Sequence, residues 1–253
     1  MPEPRVLLFD LENTPITGYA WGVGKYDRVI RVQDPWYILC VGYRWLGEDT
    51  THCFGIDDTD VKEWNDDRGV VAKIHELFTE ADVLVAHNGD RFDIPKARAR
   101  MIIHGMKPPR PCLSVDTLKM ARKEFEFTSN SLDAVCQVLG LGRKSPTGGF
   151  DLWLRCMAGD EEAWCTMKAY CQSDVELLEK LYLRLRPWAA RHPNLALIGD
   201  RPAVCPKCTE DKGFQSRGWR HTAVSKRAQW QCKACGGWSY GREILKSDVE
   251  RVI

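Results

Sequence analysis

Three short segments of the 253-residue sequence place acids where chemistry, rather than folding, calls for them. In Leu8-Phe-Asp10-Leu-Glu12 the carboxylates are two residues apart, so on a strand both lie on one face. Like charges that close repel, and such a pair persists when it is solvated or when a divalent cation neutralises it. In Asn88-Gly-Asp-Arg-Phe-Asp93 the last acid sits where a buried strand gives way to a helix. In an open α/β sheet, that strand end is where ligands bind. In Tyr170-Cys-Gln-Ser-Asp174 a spacing of four stacks a phenol and a carboxylate on one helix face. A different chemistry is offered by Cys205-Pro-Lys-Cys208 and Cys232-Lys-Ala-Cys235. These are two C-x-x-C pairs with 23 residues between them, the spacing of a four-thiolate zinc site.

Taken singly, each acidic segment also has a plain structural reading. Asp-x-Glu after a strand is a solvated strand end, Asp93 a helix N-cap, and Tyr-x-x-x-Asp an ordinary polar helix face. Asp116, ahead of Thr117-Leu118, reads as a helix cap before it reads as a fifth acidic ligand.

The elements that must hold these residues are legible in outline. Arg5–Leu11 reads as a buried strand, Tyr37–Trp45 and Thr51–Ile56 as a hairpin, and Val83–Ala86 and Leu113–Val115 as short strands. Thr14–Trp36, rich in Gly and Trp, reads as an irregular excursion. Helices are expected over Val70–Glu80, over Ile94–His104 with Pro95 tolerated in the first turn, from Thr117, over Ser131–Leu139 closed by Gly140, and over Asp160–Leu185. The last carries Val175, Leu178, Leu181 and Leu185 on one side. Thr147–Phe150 reads as a loop. Strands and helices in this order predict an α/β sheet with a hairpin at one side. Arg186–Ala203, with Pro187, Pro193 and Pro202, reads as a linker, and the small cysteine-bearing unit follows, with short strands at Gly213–Arg217 and Gln229–Gln231.

Composition sets the frame. A hydrophobic share of 44% supports a core, and no run approaches the roughly 18–20 apolar residues of a membrane helix. Net charge is +1, unevenly spread: residues 201–253 carry +6 and the remainder −5. Eleven cysteines, an odd number in a long chain whose first residues resemble no export signal, read as reduced thiols plus one metal site. A cytoplasmic protein is expected, in a host cell's cytoplasm if the gene is phage-borne, with no membrane partner.

Together, and in this order, Asp10/Glu12, Asn88/Phe92/Asp93 and Tyr170/Asp174 resemble the DEDD superfamily of 3′→5′ exonucleases on an RNase H-like fold. The tyrosine at position 170 matches the DEDDy branch. The sequence is most similar to the proofreading exonuclease domain of family B DNA polymerases, and Trp36–Gly47 also looks like stand-alone phage and bacterial members. The resemblance covers residues 5–185. It implies an α/β fold with an RNase H-like mixed sheet flanked by helices. It also implies that Asp10, Glu12, Asp93 and Asp174 hold two Mg²⁺ or Mn²⁺ ions about 3.5–4 Å apart, with Asp10 bridging. Tyr170 would orient the attacking water. Asn88 and Phe92 would contact the substrate strand or support the loop. The domains expected are 1–186 nuclease, 187–203 linker and 204–253 zinc ribbon holding one structural Zn²⁺.

The ribbon's cations, Arg217, Arg220, Lys226, Arg227, Lys233 and Arg242, interleave with Trp219, Trp230, Trp238 and Tyr240, a composition suited to single-stranded nucleic acid. Trp219, Arg220, Arg227 and Trp230 are the contacts expected there; a protein-docking ribbon is the alternative. The expected function is metal-dependent 3′→5′ hydrolysis of single-stranded DNA, with replication or repair proteins as further partners. A 3′→5′ exoribonuclease is the alternative within that chemistry, and an inactive nucleic-acid-binding adaptor is the alternative outside it.

Overall fold

A computed structural model describes residues 3–246 apart from Val61, Lys62, Trp64, Asp200, Pro202, Val224 and Arg242. Pro202 of the expected linker and Arg242 of the ribbon's basic set therefore lie outside the described residues. The strands and helices are, in chain order, β1 (Val6–Asn13), β2 (Thr17–Tyr19), β3 (Arg31–Asp34), β4 (Ile38–Trp45), β5 (His52–Gly55), α1 (Arg68–Glu80), β6 (Val83–Ala86), α2 (Asp93–Ile103), β7 (Leu113–Asp116), α3 (Thr117–Glu124), α4 (Leu132–Val138), α5 (Asp151–Met157), α6 (Glu161–Leu185), α7 (Leu195–Ile198), β8 (Phe214–His221), β9 (Ser225–Cys232), β10 (Trp238–Tyr240) and β11 (Leu245–Lys246). By internal packing the chain divides into two units. The first is Arg5–Lys119 with Phe127–Leu181, and the second gathers the described residues of Met1–Pro4, Met120–Glu126 and Tyr182–Ile253.

The first unit is built on a five-stranded mixed sheet in the order β5-β4-β1-β6-β7. The strand β1 is central, antiparallel to β4 and parallel to β6. A strand covered on both faces must be apolar throughout, and Val6-Leu-Leu-Phe9 and Val83-Leu-Val-Ala86 are buried along their whole length. The β4–β5 hairpin and the parallel β6–β7 pair complete the predicted α/β arrangement. Three segments differ from the sequence reading. Thr14–Trp36 is not wholly irregular: β2 and β3 pair into a separate ribbon. The stretch after Thr147–Phe150 forms α5, whose Leu152 and Cys156, one turn apart, are buried. The expected linker contains α7, capped by the Asn194 side chain on the Leu197 amide.

A buried ion cluster ties the start of β4 to two helices. Asp67, fully buried, precedes α1 but does not cap it. Its carboxylate accepts instead from the Ile38 amide (2.9 Å), from Arg100 Nε (2.7 Å) and terminal nitrogen (2.6 Å), and pairs with His104 Nε2 at 2.6 Å. Removing one partner of a buried pair strands the other charge. Asp67→Ala is therefore expected to destabilise the protein by about 3–5 kcal/mol, measured by urea denaturation.

In the second unit β9 is the middle strand. The strand β8 lies along one side and β10 and β11 share the other, all antiparallel to it. From residue 204 onward the buried apolar residues, among those described, are Val204, Cys205 and Cys232. So small a core holds little stability of its own.

Candidate active site

The site begins where β1 outruns its neighbour. The β1–β6 ladder pairs Val6 with Val83, Leu7 with Leu84 and Leu8 with Val85, and then stops. Asp10 and Glu12 thus lie on the part of β1 that has no parallel partner. Beyond β6 the chain turns sharply through Asn88, whose φ is 70°, and whose carbonyl accepts from the Arg91 and Phe92 amides. Gly89 is needed in this turn, because a Cβ there would lie 2.5 Å from that of Ala86. The turn delivers Asp93 to the first turn of α2, and its Oδ1 accepts from the Leu11 amide at 3.2 Å. Leu11 lies between Asp10 and Glu12, so the second acidic segment is pinned onto the first. From α6, Asp174 completes the set: carboxylate oxygens of Asp10, Glu12 and Asp174 all lie within 4.8 Å of one another.

Asp10, Glu12 and Asp93 sit in so dry a place that each holds its proton more tightly than usual. Burial, then the charges of Asp93, Glu12 and Asp174, hold Asp10 well above the usual carboxylate range. Burial, then Asp174, pushes Glu12 up to about 7, and burial pushes Asp93 up to about 6. Oδ1 of Asp174 is buried without a hydrogen-bond partner. A surplus of hard oxygen donors, one of them unsatisfied, fits divalent cations such as Mg²⁺ or Mn²⁺.

Two residues that the sequence reading passed over belong to this cluster. Lys144, from the loop before α5, reaches Asp174 Oδ2 at 2.6 Å and the Tyr170 hydroxyl at 3.1 Å. The Asp174 carboxylate holds its ammonium above the usual lysine range against the cost of burial. Trp153, on α5, lies by Glu12, where its side chain partly offsets the rise of that carboxyl, and meets the Tyr170 ring edge-on at 6.3 Å. Tyr170 itself is pushed above the usual phenol range, first by burial and then by Asp174, so its hydroxyl keeps its proton.

Other residues of these segments find ordinary roles or open ones. Asp116 caps α3: its Oδ1 accepts from the Leu118 and Lys119 amides and also from the Asn88 amide at 2.9 Å. His87 is satisfied, with Nδ1 on the Thr117 hydroxyl and Nε2 on the Asn130 carbonyl. Phe92 is 40% exposed rather than core. Its ring and that of Trp36 both lie against the Lys96 ammonium, at 4.7 and 3.9 Å. Trp21 is almost wholly exposed.

The four predicted cysteines converge. Sγ of Cys205 lies 3.8 Å from that of Cys235, and Sγ of Cys208 lies 3.8 Å from that of Cys232. A zinc–sulfur bond of about 2.3 Å gives a tetrahedron with edges of about 3.8 Å, so the donor set fits Zn²⁺. Backbone amides support the sulfurs, Ala234 donating to Cys232 and Gly237 to Cys235, both at 3.4 Å. The expected contact residues around this centre divide between two faces of the sheet. Arg220 stands directly opposite Arg227, while Trp219 opposes Ala228 on the other face, which Trp230 shares. Tyr240 joins the arginine face, and Arg220 lies over its ring at 4.5 Å.

Comparison with known proteins matches residues 34–186, more than half of the chain, to the RNase H superfamily. The match starts after Asp10 and Glu12. A DNA polymerase III of PolC type from Ureaplasma parvum serovar 3 is 34% identical over 136 residues, which is 52% of this chain and 9% of the polymerase. The chain therefore spans a small part of that relative. Among solved structures, the family B DNA polymerase from the archaeon Pyrobaculum calidifontis superposes with a TM-score of 0.51 at 18% identity, covering 74% of this chain and 26% of the polymerase. That likeness bears on the fold. No described helix is long and apolar enough to cross a membrane.

Proposed function

Because the chain belongs to the RNase H superfamily and carries an RNase H-like nuclease domain, we propose that it is a metal-dependent 3′→5′ exonuclease of the DEDDy type. Its substrate in this reading is the 3′ end of single-stranded DNA. The observation that carries the proposal is the convergence of Asp10, Glu12 and Asp174 within 4.8 Å, with Asp93 bonded to the amide between the first two. The polymerase names of the relatives favour DNA over RNA and a replication or repair setting.

In this reading Asp10, Glu12, Asp93 and Asp174 hold two Mg²⁺ or Mn²⁺ ions. When bound, these supply the positive charge that activates a water and stabilises the departing 3′ oxygen. The protein's own groups do the rest. The Leu11 amide orients Asp93 by a hydrogen bond, and Trp153 lies by Glu12. Tyr170 keeps its proton, so it serves as a donor that positions the water rather than as a base. Lys144 occupies one oxygen of Asp174 and leaves the other for a cation. Lys144→Met removes a positive charge from the site and a tether from Asp174. The expected result is a Mn²⁺ dissociation constant roughly tenfold lower, with slower turnover, read by Mn²⁺ titration and single-turnover cleavage.

The same reading assigns residues 1–186 to the nuclease, 187–203 to a linker and 204–253 to a ribbon with one structural Zn²⁺. Two arginines directly opposed across β8 and β9 repel each other, a cost that an anionic strand would offset. A cleft of about 550 Å³ is lined by Arg220 together with Trp188, Trp238 and Tyr240. Cations and stacking rings together suit a single strand. The test is a gel assay on matched 5′-labelled single-stranded DNA and RNA with Mg²⁺, Mn²⁺ or EDTA. A descending, metal-dependent ladder is expected, faster on DNA. A faster RNA ladder would make the protein an exoribonuclease, and binding without cleavage would make it an adaptor.

A further inference from the structure

Outside the acidic site and the four-cysteine centre, three more cysteines meet in the first unit. The sulfurs of Cys40 on β4, Cys53 on β5 and Cys171 on α6 all lie within 4.8 Å of one another. Cys40 and Cys171 are buried, and Cys53 is the part-exposed member of the three. Gly42 makes the meeting possible. It stands directly opposite Cys53 in the β4–β5 ladder, and a Cβ at Gly42 would lie 2.7 Å from the Cys171 sulfur. The Cys171 thiol therefore occupies the space of a missing side chain, next to Cys53.

We propose that Cys53 is a hydroperoxide-reactive cysteine that forms a disulfide with Cys171, tying β5 to α6 one residue after Tyr170. The geometry selects the pair. Cys40 faces Gly55 in the ladder, so Cys53 is its diagonal neighbour. Diagonal Cα atoms lie about 7–8 Å apart, beyond ordinary disulfide reach. Chemistry selects the reaction over metal capture. A disulfide is neutral, whereas three buried thiolates around an ion keep charge in a dry place. The Cys171 and Cys40 thiols beside it, helped by the Lys168 ammonium, hold the Cys53 thiol below its usual range against the effect of burial, which favours the nucleophilic form.

The balance is simple. The Cys53 thiolate attacks one oxygen of hydrogen peroxide. An S–O bond forms, the O–O bond breaks, and hydroxide leaves and takes up a proton. The Cys171 sulfur then attacks Cys53. An S–S bond forms, the S–O bond breaks, and the Cys171 proton leaves with the hydroxyl as water. Two electrons pass from the two sulfurs to the peroxide.

The test treats the full, zinc-loaded chain with stoichiometric hydrogen peroxide, blocks free thiols, and maps peptides by mass spectrometry without reduction. The expected product is a Cys53–Cys171 cross-linked peptide that a thiol reductant reverses. Cys53 should be lost roughly tenfold faster than the exposed Cys165, which serves as the internal standard. Cys40→Ser should keep the cross-link. Cys171→Ser should abolish it and leave Cys53 as a sulfenic acid that dimedone traps. Cys53→Ala, checked for folding by circular dichroism, should remove both signals. Oxidation of Cys165 ahead of Cys53, a bridge to Cys40, or a Cd²⁺ ion taken up by the trio with no cross-link formed would each overturn the proposal.

Discussion

Asp10→Ala is expected to lower cleavage of a single-stranded 3′ end by at least about three orders of magnitude while the protein stays folded. The size follows from position. Asp10 lies on the central strand with Glu12, Asp93 and Asp174 around it, and its own proton affinity is raised by all three. Removing it deletes one oxygen donor of the set and loosens the cation binding on which the proposed chemistry rests. Folding should survive, even improve, because a desolvated carboxylate among like charges is itself destabilising. The checks are single-turnover cleavage, Mn²⁺ titration and a thermal melt on one preparation. Asp174→Asn keeps the side chain's shape and removes its charge, so it should lose activity comparably. A well-folded Asp174→Asn protein that cleaves at the wild-type rate would refute the assignment of these residues.

The second large effect concerns the cysteines. Cys208→Ser should abolish tight zinc binding and unfold the segment that follows. The sequence from residue 204 on buries almost nothing besides Val204, Cys205 and Cys232 among the described residues. A fold with so little core takes its stability from the metal, and structural zinc sites contribute on the order of 10 kcal/mol. Metal analysis should fall from one zinc per chain to none. Limited proteolysis should then remove the β8–β11 region. If the nuclease reading also holds, the trimmed protein still degrades short single strands but binds long ones less tightly.

What could be read ahead of the structure was whatever leaves a local pattern. The runs Val6–Phe9 and Val83–Ala86 and the long face of α6 announce themselves because burial on both sides, or along one side, fixes residue types at every position. The four acids are visible for the opposite reason, since each interrupts a stretch that packing alone would fill with apolar residues. Lys144 and Trp153 leave no such mark. One sits on a glycine-bearing loop and the other on a two-turn helix, and each matters only because α6 brings Asp174 and Tyr170 to it. Asp67 is silent for the same reason: its carboxylate serves Ile38, Arg100 and His104, all far along the chain. The β2–β3 ribbon was missed because its residues are exposed and follow no alternation.

The hydrogen bond from Leu11 to Asp93 gives the protein a built-in gauge. That amide sits between two proposed cation ligands and donates to a third. It can exchange its hydrogen with solvent only when the second acidic segment lifts away from β1. Any cation that clamps these carboxylates must therefore slow exchange at this one position, even in the absence of nucleic acid. Amide exchange at Leu11 would thus report metal loading directly, and separately from turnover.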